Sequence, residues 1–393
     1  MNIYNTIEIN SKLDSILGKF HFSKNFKSHL LYIIFHIRTY PFKDRNFEEG
    51  DFIPIHLLYL RSLISYDYAG KFLNIMVSEG LLDCDNHYQV ESKCKSYRIS
   101  DKYRKGKFFL ERMEDEELAL KIKNRLNVVT DEILNRNDAY SYITRNMNNL
   151  DMYTDKADKF LKCRKTPKNI RNKIKMMVEV FYERRFSTID DKGNRLHNNL
   201  TNLATPLRNA LHYKGFTLVQ CDLKNSQPLL FRVHLNKYPH IPQEELDKYL
   251  DVVCNIGFYE FFADKLNIKL TKANRTDFKK KIFGGVLFDK NRNNLSKYEK
   301  VFKEEFPIIF YCMRDMKKDD YKNIPISLQK LESQFIFHCV DKLSKENKDI
   351  ELLTIHDSIV TIEGKEEIVY KVMMEEFYNM FGIIPKIKIE KFA

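Results

Sequence analysis

The sequence predicts an α+β chain, and three observations carry that expectation. Residues 28–40, 53–64 and 66–82 repeat apolar side chains at helical intervals. From about residue 186 the texture changes to short apolar runs that read as strands, clearest in FTLVQCD (216–222) and ELLTIHDSIVTIEG (351–364). The 393 residues are 43% hydrophobic and 13% aromatic. That is enough to bury the cores of two or three domains, and it excludes a disordered or fibrous chain.

Taken in order, residues 1–26 show weak helical patterning and no motif. SHLLYIIFHIRTY is an amphipathic helix, IPIHLLYLRSLI continues as a second after Pro54, and YDYAGKFLNIMVSEGLL is a third that Gly80 ends as a C-cap. HYQVESKCKSYRIS (87–100) reads as two short strands around a polar turn. Residues 1–104 thus resemble a winged helix, with the 68–80 helix fit for a nucleic-acid groove and Lys93, Lys95 and Arg98 near phosphates. A protein-binding or purely structural winged helix is the alternative. Residues 105–185 are charged and helical, without Gly-rich linkers, and no internal repeat is visible.

The chain carries 66 Lys+Arg against 54 Asp+Glu, a net charge of +12 and a pI of about 9.1. The excess is concentrated. Residues 155–185 are net +7 and residues 265–303 net +9. Ile170, Ile174, Met177 and Val178 recur at helical spacing, so one face can bury while the other meets a phosphate backbone; solvated helix faces are the plainer reading. Seven scattered cysteines without a CxxC or CxxH pair speak against a disulfide framework or a zinc site and for a reducing cytoplasm. No apolar run approaches the roughly 18–20 residues of a membrane span, and the N-terminus lacks a signal-peptide pattern.

The chemistry gathers downstream. Asp222 ends an apolar strand, where a rigid element exposes it to a cleft. His356-Asp357-Ser358 forms the apex of a strand–turn–strand that can set Asp357 beside Asp222 on neighbouring strands. Two facing carboxylates can hold two Mg²⁺ ions about 3.5–4 Å apart for in-line phosphoryl transfer, whereas either aspartate alone is ordinary turn chemistry. Between them, NRTDFKKKIFGGVLF (274–288) places Arg275, Lys279, Ile282 and Phe283 on one helix face. Two cations there suit a triphosphate, a flat ring suits a base, and Gly284-Gly285 permits close approach.

Together these residues resemble motifs A, B and C of family A DNA polymerases and the related single-subunit RNA polymerases. Motif A is DLKNSQ from Asp222, motif B the R-x₃-K-x₃-FG run from Arg275 to Gly284, and motif C His356-Asp357. GNRLHNNLTNL resembles the segment whose arginine, here Arg195, meets the primer–template minor groove. LRNALHYKGFTLVQCD, with Arg208, resembles the approach to motif A, and NIPISLQKLESQ resembles the segment that supplies a template-contacting glutamine, here Gln329. The resemblance spans about 186–393 in the family's order. It implies a right-hand polymerase, with an antiparallel palm sheet and helical fingers at 186–393, a basic helical thumb-like region at 105–185 and the winged-helix-like domain at 1–104.

The resemblance also implies roles. Asp222 and Asp357, assisted by the Leu223 carbonyl, would hold two Mg²⁺ (Mn²⁺ as the substitute). Arg275, Lys279 and Phe283 would hold the incoming nucleotide, and His356 would lie near the primer terminus. Three positions depart from the family. Gln227, followed by Pro228, replaces the glutamate that gates the sugar; Leu287 replaces the usual tyrosine, with Phe288 beside it; and motif C reads HDS rather than HDE. Sugar selection is thus open between dNTPs and NTPs. The expected activity is template-directed DNA synthesis without proofreading, in a cytoplasmic phage, plasmid or other mobile-element setting with replication partners. A primase, an RNA polymerase or a template-independent transferase is the alternative within the class, and a catalytically silent DNA-binding replication initiator the alternative outside it.

Overall fold

The computed structural model describes the chain apart from residues 1, 24, 44–46, 49, 88–93, 105–107, 154, 158, 160–180, 182–185, 272, 348 and 393. The described residues form two compact units. Most of the basic block at 155–185, with Ile170, Ile174, Met177 and Val178, and likewise Lys93, lies outside them.

The first unit comprises Met1–Asp131, Asp158–Phe186 and Asn202–Ala204. It opens with strand β1 (Asn2–Thr6), where helical patterning is expected from the sequence. β1 pairs antiparallel with a strand more than 100 residues downstream, so no local pattern announces it. The Thr6 side chain accepts the Ile9 N–H and starts helix Ile7–Lys19. Helices Asn25–Lys43, Leu57–Leu63 and Ala69–Ser78 follow, matching the three amphipathic segments. Gly80, at φ +69°, takes the left-handed conformation that ends the last one. Ile16, Leu30, Ile33, Leu60, Phe72 and Met76 are fully buried among these helices.

β2 (Ile53–Pro54), β3 (Leu82–Cys84) and β4 (Ser96–Ile99) form an antiparallel sheet in the order β2-β4-β3. β4 lies where the second wing strand is expected and pairs with β3, while residues 88–93 of the expected first wing strand lie outside the described residues. Arg98 is bound to Asp83 (Nε–Oδ2 3.0 Å) and lies over the Phe52 ring. β5 (Phe108–Arg112) is the partner of β1.

The second unit comprises Glu132–Ala157, Ser187–Thr201 and Thr205–Ala393. Two small antiparallel ladders pair β6 (Leu150–Met152) with β9 (Leu211–Tyr213) and β7 (Ser187–Ile189) with β8 (Leu196–Asn198). Its main sheet has four antiparallel strands: β10 (Leu218–Leu223), β11 (Leu353–Ile355), β12 (Ser358–Ile362) and β13 (Ile387–Lys391), in the order β11-β12-β10-β13. β10 is central because Val219, Cys221 and Leu223 turn one face into the core while Gln220 and Asp222 occupy the other.

Helix Asn323–Glu346 buries Ile324, Leu328, Phe335, Ile336, Cys339, Val340 and Leu343 along one stripe. Tyr249, Phe258, Phe262, Phe302 and Phe306 are all buried and pack ring on ring, with neighbouring centroids 4.9 to 6.3 Å apart. Such contacts stabilise beyond area burial by about 0.5–1.5 kcal/mol per pair. The chain is thus α+β, with several small antiparallel sheets. No described helix is long and apolar enough to cross a membrane.

Candidate active site

β11 and β12 are joined by a two-residue turn, His356-Asp357. His356, the first turn residue, takes φ +51°, a left-handed position that non-glycine residues seldom adopt. Pairing then fixes the site. Asp222 lies directly opposite Ser358 across the β10–β12 ladder, and the Leu223 N–H donates to the Asp357 carbonyl at 3.2 Å. The sheet register therefore sets the two aspartates side by side at one end, each partly exposed. After Leu223 the chain leaves the sheet through Asn225 (φ +52°), a left-handed position that asparagine tolerates, into helix Ser226–Leu235.

The electrostatics of the pair are strained. Surrounding protein, then the charges of Glu332 and Asp222, pushes the Asp357 carboxyl well above the ordinary carboxylate range. Asp222 is also raised, by burial first; the amide of Gln220, donating at 3.2 Å, and the charges of Lys388 and Lys279 offset this in part. Among the described residues no cation bonds directly to either carboxylate. Nor does any group of three or more His, Cys, Asp or Glu side chains there have metal-binding geometry. Two adjacent carboxylates short of positive charge nonetheless fit a divalent cation with further ligands from water and substrate. Leu223 is the residue whose carbonyl is closest in sequence to this end of β10.

Arg275 and Lys279 come from helix Arg275–Ile282. Lys279 is half-buried, and its ammonium is pushed below its usual range by burial and then by Arg275; Glu260, Asp222 and Asp357 pull it back. Its Nζ lies 4.7 Å from the centroid of the Tyr259 ring. Arg275 is held by Glu260 (Nη1–Oε1 2.5 Å). The expected continuous helix face does not run through Phe283: residues Phe283–Phe288 form a π-turn. Within it Ile282's neighbour Phe283 stacks on Phe288 (5.4 Å, 12°) and meets Tyr259 edge-on, while Ile282 itself is fully buried and unable to face a ligand. π-turns recur at functional sites.

Arg195 comes from the β7–β8 hairpin. Burial raises the pKa of Asp190, but N–H groups of Gly193, Arg195 and Lys192 outweigh it and hold the carboxyl below its usual range, fixing that turn. The Arg195 side chain reaches Glu332 with both Nε (2.8 Å) and Nη2 (2.6 Å) on Oε1. Glu332 Oε2 accepts from Gln227 Nε2 (2.7 Å) and Ser226 Oγ (3.3 Å). Gln329, one turn earlier, lies against Gly193. His356 meets His197 at a ring distance of 6.1 Å. Arg208 ends the short helix Thr205–Arg208.

The sequence reading passes over Glu332 and Tyr259. For Glu332 a signal exists: a carboxylate on the apolar stripe of its helix, four residues after Leu328 and three before Phe335. An ionisable group there must be paired or functional. Tyr259 carries no such signal, because an aromatic residue in an apolar helix reads as core.

No family model matches the chain. No curated protein matches it either. A similar solved structure is the POL domain of Pol1 from M. smegmatis in complex with DNA primer-template and dNTP, at a TM-score of 0.39 and 14% identity over 69% of this chain. The chain spans 65% of that structure's length.

Proposed function

We propose that this protein is a nucleotidyltransferase that extends a nucleic-acid 3′-OH with nucleoside triphosphates, most simply a template-directed DNA polymerase with a family A-like palm and fingers. One observation carries this reading: Asp222 on β10 lies beside Asp357 in the turn that leads into the neighbouring β12, neither is bonded to a cation among the described residues, and the charge of Lys279 acts together with both. Bound there, two divalent ions, Mg²⁺ or Mn²⁺, would supply the charge that makes a 3′-oxygen nucleophilic and neutralises pyrophosphate.

The chain's own residues do the rest. Asp222, Asp357 and the Leu223 carbonyl hold the ions. Lys279 and Arg275 neutralise the triphosphate, and the lowered pKa of Lys279 suits it to give a proton to the leaving group. Phe283 offers its ring to a base once unstacked from Phe288, and Gln227 lies at the sugar. Arg195, Arg208, Gln329 and His356 contact primer and template. With this goes a division of the chain into a DNA-docking module (1–104), a thumb-like grip (105–185) and the catalytic part (186–393).

The test offers primed, unprimed and no template with Mg²⁺ and either dNTPs or NTPs. Primer-dependent extension with dNTPs is the expected result. Unprimed synthesis from NTPs would instead indicate a primase or RNA polymerase. DNA binding without product in any condition would indicate a silent initiator.

A further inference from the structure

Glu332 is 2% exposed and its charge acts on Asp357, and the β7–β8 hairpin that carries its partner Arg195 meets the turn through the His197 and His356 rings, yet Glu332 is not built as a metal ligand. Oε1 is taken by two bonds from Arg195, and Oε2 by Gln227 and Ser226. Arg195 is its cation, and the charge of Arg195 also acts on Asp357. Released from Glu332, that guanidinium would be drawn to Asp357, to which no cation is bonded among the described residues. A flexible arginine finding an unpaired carboxylate forms a strong, bidentate ion pair. Such a pair would occupy the oxygens a metal needs.

From this we infer that Glu332 is a positioning residue that keeps Arg195 off Asp357, and so keeps the metal site open. The inference rests on the reading of Asp222 and Asp357 as metal ligands. Glu332 touches neither metal nor substrate in this role; it acts through the arginine.

The test is Mn²⁺ binding to the full chain without nucleic acid or nucleotide, followed by electron paramagnetic resonance of free Mn²⁺. Glu332→Gln is expected to weaken binding by about 10- to 100-fold, the range for residues that orient a metal site from behind. Glu332→Gln combined with Arg195→Gln is expected to recover most of the loss, because the competing cation is gone. Glu332→Asp, which keeps the charge, is expected to bind like the wild type, and covers the case that Glu332→Gln does not fold: weak binding by the aspartate variant would then overturn the inference. Unchanged binding in Glu332→Gln overturns it, and so does a double variant as weak as the single. Failure of the underlying reading looks different: Asp222→Asn and Asp357→Asn would leave Mn²⁺ binding untouched.

Discussion

Asp357 is the residue on which the site turns. It occupies the second position of a two-residue hairpin, so β-pairing rather than a flexible loop fixes its place beside Asp222. Placing two like charges together costs stability, and functional sites carry such costs. Under the proposed function, Asp222→Asn or Asp357→Asn should therefore lower nucleotide incorporation by about 10²–10³-fold or more, because each removes a charge that would act in the transition state. Circular dichroism should show both variants folded. Gly284 tests the other side of the site: a Cβ there would meet nothing within 4 Å. Gly284→Ala should leave the melting temperature unchanged, measured by calorimetry. A rise in KM for the nucleotide at constant stability would place a ligand against that glycine.

At the scale of elements, the π-turn Phe283–Phe288 is held by an unusual bond. Lys317 is buried and donates from Nζ to the Val286 carbonyl at 2.8 Å. Burial lowers its pKa from 10.5 to about 8. The folded state thus releases this proton earlier than the unfolded chain does. Between about pH 8 and 10.5 the unfolded state binds more protons, so this group makes stability rise with pH, by about 3 kcal/mol over the window. Denaturant titrations across that range should show the rise in the wild type and lose it in Lys317→Met.

The same elements show what was legible. The β11–β12 hairpin and the end of β10 could be read from short apolar runs around HDS and DLK, and the amphipathic helices of the first unit from their periodicity. The π-turn could not, because its hydrogen bonding departs from the α-helix without changing the apolar pattern of FGGVLF. Strands β1 and β13 form through distant partners, so no local pattern announces them.

For the whole molecule, the +12 charge takes a more local meaning at the main sheet. Lys388 lies opposite Asp222 across the β10–β13 ladder, so the two share a face, and the Lys224 N–H bonds to the Lys386 carbonyl where that ladder continues. These lysines, all exposed, line the edge beside the aspartates. Under the proposed function they meet phosphates, and each alanine substitution should reduce the slope of log affinity against log salt by about 1, measured by fluorescence anisotropy with primed DNA. Under the proposed function, Asp222 and Asp357 form one metal-dependent centre for nucleotidyl transfer. Single-nucleotide incorporation on a primed template at saturating Mg²⁺, comparing wild type with Asp357→Asn, tests it most directly. Incorporation by the wild type that chelation abolishes, together with a variant that is all but inactive, is the expected result. Equal rates in the two proteins, or a wild-type rate indifferent to chelation, would contradict it.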